Sequence, residues 1–154
     1  MLQSFLNKSQ ELNIISQDKL IQYFQFCIDK NQGKRIREDG VSKTSHHHIL
    51  PNKLFPEFAS LKENPWNGTN LLYSDHYYAH WLFTEAVNDY SQLHAFCAMH
   101  NCDMKLGRIN ESDLIHPDKF QSKMAERSVN ISEWYVNNPD KVKIKVIKRY
   151  NSID

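Results

Sequence analysis

The side chains with most chemistry to offer are His46-His47-His48, then Asn70, then His76 and His80; five of the eight histidines fall between positions 46 and 80. Imidazole binds divalent transition metals and ordinarily titrates near neutrality, so it can serve as a ligand or as a proton acceptor. His76 and His80 are four apart. On a helix that spacing puts both rings on one face, about one turn apart, able to grip one cation from the same side. On a strand, neighbouring side chains point to opposite faces, so His47 and His48 cannot do the same job. A third imidazole from such a strand would leave coordination positions open for water or a phosphate oxygen. Phosphodiester cleavage needs this set. A metal offsets charge on the phosphate and the departing oxygen, a base takes a proton from water, and a hydrogen bond holds the base in one tautomer. The amide oxygen of Asn70 can supply that bond.

A strand, a second strand and a helix are required to position these groups. Thr44 to Leu50 reads as a short strand ending at Pro51, and Asn70-Leu71-Leu72-Tyr73 as another. Between them, Pro51, Pro56, Pro65 and Gly68 predict a loop, which Leu54, Phe55, Phe58, Leu61 and Trp66 should pack down. Ser74 can cap a helix with Asp75 in its first turn and one apolar face running through Ala79, Leu82, Phe83, Ala86, Tyr90 and Leu93. Upstream, Ser16 caps a predicted helix bearing Leu20, Tyr23, Phe24, Cys27 and Ile28. Ile15 and Leu20 form its hydrophobic staple and Asn31 to Gly33 its stop. Downstream, Pro117 opens a helix through Phe120, Met124 and Ala125, and Ser132 starts a shorter one that ends before Pro139.

The segments His47-His48-Ile49-Leu50-Pro51, Asn70-Leu71-Leu72-Tyr73 and Asp75-His76-Tyr77-Tyr78-Ala79-His80-Trp81-Leu82 together resemble the HNH (His-Me finger) endonucleases. They look most like the small phage-borne enzymes, often of homing type, with a His-His-Ile-x-Pro strand and a Glu-His-x-x-Ala-His helix. The similarity spans residues 44 to 84. It implies an α+β fold: a ββα-metal core with an N-terminal helix and a mostly helical C-terminal extension. By matched position it implies that His47, His76 and His80 bind the metal, that His48 is the general base and that Asn70 orients it. The activity implied is DNA hydrolysis leaving 5′-phosphate and 3′-hydroxyl ends. DNA is then the partner of a monomer or homodimer, with one divalent ion (Zn, Mn, Ni, Co or Mg) and no small-molecule cofactor. Imidazole suits the first four, whereas magnesium prefers oxygen. The alternative is a DNA-binding or structural metal module with the same finger and no turnover.

The family asparagine usually precedes the helix histidine by nine residues. Asn67 stands there and is a rival to Asn70, which is preferred because it opens the apolar strand Leu71-Leu72. Asp75 replaces the usual glutamate. His46 has no family role and reads as a loop or supporting residue. A second group, His94, Cys97, His100 and Cys102, lacks the paired spacing of a zinc knuckle, so packing and exposure account for it.

Three segments follow from this reading: an N-terminal helical segment and basic loop over 1–43, the nuclease core over 44–100, and a C-terminal extension over 101–154. The net charge is only +1, so contact with nucleic acid must come from local patches. Lys34, Arg35, Arg37 and Lys43 lie in a polar, turn-rich loop. Lys141, Lys143, Lys145, Lys148 and Arg149 lie on a tail that alternates like a strand, where lysines also guard an exposed edge. Three widely spaced cysteines, no leader and no apolar span predict a cytoplasmic protein, in the host cytoplasm if phage-encoded, with no membrane contact.

Overall fold

Two helices open the chain. The first, α1, is Leu2–Lys8, whose Phe5 is buried and stacks on Phe24 with ring centroids 5.3 Å apart. The second, α2, is Gln17–Asp29. Ser16 caps it as expected, its hydroxyl accepting from the Lys19 amide at 3.3 Å, and Leu20, Tyr23, Phe24 and Cys27 form its buried face. The predicted staple does not form, because Ile15 is exposed. The Ile15 and Ser16 amides donate to the Ala86 carbonyl, and Ile14 bridges Val87. In that extended stretch the side chains alternate, so Ile14 packs on the core and Ile15 points out.

This computed structural model describes residues 1–115 and 117–139. Among them the fold is α+β, with five helices and two small antiparallel sheets. The polar loop contains the first sheet, in which β1 (Arg37–Glu38) pairs with β2 (Val41–Ser42). Asp39 and Gly40 join them at φ 49° and 78°. Positive φ at both central residues is the turn that matches strand twist, and Asp-Gly adopts it readily. The second sheet pairs β3 (Thr44–His48) with β4 (Gly68–Leu72), placing His46 opposite Asn70, His47 opposite Thr69 and His48 opposite Gly68.

Helix α3, Tyr73–Ala86, follows β4 without a break. Leu72 is its N-cap and makes no side-chain cap bond, so Ser74 lies inside the helix instead of capping it. The predicted apolar face does not continue to Leu93. Val87 turns extended, Asn88 donates to the Asn13 carbonyl, and Asp89 caps a new helix, α4, Tyr90–Lys105, by accepting from the Gln92 amide at 3.0 Å. Packed by both α2 and α4, α3 buries Tyr77, Ala79, Trp81, Leu82 and Phe83. Burying a side chain of this size stabilises by about 1.5–3 kcal/mol.

The chain divides into two units, the first being Met1–Ile115. The described part of the second contains α5, Pro117–Asn137. It is one helix where two were expected. Ser132 starts nothing, since its hydroxyl donates back to the Ser128 carbonyl at 3.0 Å. No helix among the described residues is long and apolar enough to cross a membrane.

Candidate metal centre

Strand β3 brings His47 to the face of α3 that carries His76 and His80. The three ring centroids stand 4.8 to 4.9 Å from one another. One nitrogen from each ring lies within 4.8 Å of the other two, so this group could hold a metal ion. The Nε2 atoms of His76 and His80 are 3.2 Å apart. Nitrogens on a tetrahedral zinc, at about 2.0–2.1 Å from it, stand about 3.3–3.4 Å from each other, so the helix pair already has ligand spacing. Burial, then the nearby Arg108, takes His76 down to about 4. Burial, then His76, takes His80 down to about 3, and burial holds His47 well below its ordinary value. All three are neutral imidazoles near pH 7, the form that ligates.

His47 is oriented by a residue outside β3 and α3. The Tyr23 hydroxyl donates to the Ile49 carbonyl at 2.7 Å and lies 2.9 Å from His47 Nε2. A carbonyl only accepts, so the single phenolic proton is spent there, and His47 Nε2–H must donate to the phenol oxygen. That leaves Nδ1 as the basic nitrogen of His47. Burial pushes the Tyr23 phenol well above its usual range, so the arrangement keeps its proton. The apolar spacing of α2 places Tyr23 in the core but does not reveal this role. The available clue was its hydroxyl, since a buried phenol needs a partner.

His48 is held differently. Its Nε2 lies 2.9 Å from the Ala59 carbonyl. By the same reasoning Nε2 carries the proton and Nδ1 the lone pair. The expectation that Asn70 orients His48 is therefore corrected. Asn70 faces His46 across the sheet, and its Oδ1 is buried with no hydrogen-bond partner among the described residues. The rival, Asn67, acts one step removed. Its Oδ1 accepts from the Leu50 amide at 2.7 Å, and its Nδ2 donates to the Leu50 and Phe58 carbonyls, both at 3.1 Å. Asn67 thus ties the end of β3 to the turn at Phe58, and the next carbonyl in that turn is the one that holds His48.

His46 is exposed and lies over Gly68, where a Cβ would come within 2.7 Å of its Nε2; the bare glycine gives the ring room. His46, His47, His48, His76 and His80 all border one cleft of about 330 Å³, which Lys53 and Gln92 also line. Of the basic candidates, Arg37 donates to the Gly40 carbonyl at 2.8 Å and Lys43 pairs with Glu38 at 3.5 Å. Lys34 and Arg35 are exposed, and the charge of Arg35 helps to hold His46 below its ordinary value, after burial. Lys141, Lys143, Lys145, Lys148 and Arg149 lie outside the described residues. No family model matches the chain, and no curated protein or solved structure matches it.

Proposed function

We propose that the protein is a divalent-metal-dependent DNA endonuclease in which β3, β4 and α3 act as a ββα-metal finger of the HNH type. The observation that carries this reading is the pairing of two differently tethered histidines. His47 joins His76 and His80 in the metal group, while its neighbour His48 borders the same cleft with Nδ1 as its basic nitrogen. His47, His76 and His80 would hold the ion, zinc, nickel, cobalt or manganese by donor type, which would supply Lewis-acid stabilisation of the phosphate and the leaving oxygen.

The rest belongs to the chain. His48 Nδ1 takes a proton from the attacking water, whose oxygen bonds to phosphorus as the P–O3′ bond breaks; the departing oxygen is protonated by solvent. The Ala59 carbonyl stabilises the imidazolium that forms, because it accepts from Nε2–H throughout. Asn67 keeps that carbonyl in place through Phe58.

The test is conversion of supercoiled plasmid with Mg²⁺, Mn²⁺, Ni²⁺ or Zn²⁺ and with EDTA, wild type beside His48→Ala. Wild type should give nicked or linear product only with metal. His48→Ala should lose about 100-fold or more in rate while still binding metal. Cutting by His48→Ala at the wild-type rate would sink the mechanism; no conversion by wild type under any metal would favour a module without turnover.

A further inference from the structure

The cleft over the histidines adjoins two others. His76 and His80 also line a cavity of about 380 Å³ that is bounded by Tyr73 and Arg108. Tyr73 and Arg108 in turn line a third space, of about 410 Å³, that reaches Lys43. Shared walls thus connect the metal group, past Arg108, to the residue that follows β2.

Arg108 is fixed on three sides. Its amide donates to the Asp103 carbonyl at 2.9 Å, its Nη1 lies 3.4 Å from Asp103 Oδ1, and its guanidinium carbon sits 4.9 Å from the centre of the Tyr73 ring. The Asp103 side chain is only 6% exposed, whereas that of Arg108 is 41% exposed. A buried carboxylate therefore anchors a cation that still faces the cavity. Asp103 offsets part of the charge, and Arg108 still lines the same cavity as His76 and His80.

Such a cation works against the neighbouring group. Like charges repel, so Arg108 opposes uptake of a dication by His47, His76 and His80. An anion seated between them turns the conflict into attraction on both sides. We propose that Arg108 binds a backbone phosphate of the DNA strand in the cavity it shares with His76 and His80. The guanidinium fork matches two phosphate oxygens, and Tyr73 holds its plane. Lys43, at the far end, takes a further phosphate of the same strand. This inference rests on the nuclease reading of the histidines for the identity of its ligand.

The experiment uses the full chain loaded with Co²⁺, whose visible bands report coordination, titrated with inorganic phosphate and then with a short DNA duplex. In Arg108→Gln the phosphate half-saturation should rise about tenfold or more, as expected for loss of a charge-assisted pair. Its Co²⁺ affinity without phosphate should equal or exceed that of wild type, the reverse of what a merely structural residue gives. Arg108→Lys should fall between the two. Asp103→Asn/Arg108→Gln should match Arg108→Gln, which separates loss of the anion contact from the unpaired carboxylate. The duplex should bind wild type at lower concentration than phosphate and lose that advantage in Lys43→Ala. A phosphate response unchanged in Arg108→Gln, or a wild type indifferent to phosphate, would overturn the proposal. So would weakened Co²⁺ binding in both Gln variants, and a wild type that binds no Co²⁺ would overturn the metal centre with it. None of these readings requires cleavage, so a protein that binds phosphate through Arg108 but leaves plasmid intact refutes the nuclease alone.

Discussion

His47, His76 and His80 on one side, and His94, Cys97, His100 and Cys102 on the other, offer comparable numbers of ligating atoms. The first set draws on a strand and a helix that meet face to face, and its donor atoms converge. The second lies entirely on α4 and disperses: Cys97 is buried, Cys102 is exposed, His100 Nδ1 is 3.0 Å from the Tyr77 hydroxyl, and His94 lies beside Tyr90. One helix can direct two neighbouring side chains at an ion, but a third ligand must come from an element that crosses it. For α3 that element is β3. Each set even contains a tyrosine–histidine pair, yet only Tyr23 acts on a member of the metal group.

The largest test of this contrast is removal of a ligand. His80→Ala should lower Zn²⁺ affinity by more than the roughly 10–100-fold that loss of a supporting hydrogen bond costs, while His94→Ala and Cys102→Ala leave it unchanged in calorimetric titration. Comparable losses from both sets would erase the distinction. A smaller effect separates the two tyrosines. Tyr23→Phe should cost about tenfold in Zn²⁺ affinity, because His47 loses the partner that fixes its tautomer, and Tyr77→Phe should cost nothing. Equal behaviour would mean that the Tyr23 bond merely fills the core.

The mildest effect is on pH. His76 and His80 titrate at about 4 and about 3 in the fold, against an ordinary 6.5. Their depressed values mean that stability is fully present above 6.5 and declines as pH falls toward 4, because the unfolded chain takes up protons first. In EDTA, the urea midpoint should therefore drop between pH 7 and pH 5, and His80→Asn should flatten that slope. A slope as steep in His80→Asn would show that other groups control it.

Much of this arrangement is legible in the residues. Ser16 announces α2 and the i, i+4 histidines define one face of α3, whereas β3 stops at His48, short of the Pro51 expected to close it. What escapes has a common physical cause: it depends on partners distant in sequence. The break between α3 and α4 has no glycine or proline to mark it, and is set where Val87 bridges Ile14. Tyr23 and Arg108 look like an ordinary core aromatic and an ordinary surface cation until His47 and the histidine-lined cavity lie beside them. Asn70 directly precedes the apolar pair Leu71-Leu72 and so looks like the start of a strand. The strand itself begins two residues earlier, with Gly68 and Thr69 already paired to β3.

Ala59 presents a different lesson, because it holds His48 by an atom that every residue possesses. A residue-by-residue scan will pass over position 59 in silence, since exchanging its methyl group leaves the carbonyl where it was. The group that holds His48 is thus written into chain length and path rather than into a side chain. A deletion between 51 and 66, or replacement of Asn67, will reach it where substitution at 59 cannot. Tolerance of varied residues at 59 alongside intolerance of a changed loop length would be the signature of a site that stores part of its chemistry in the backbone.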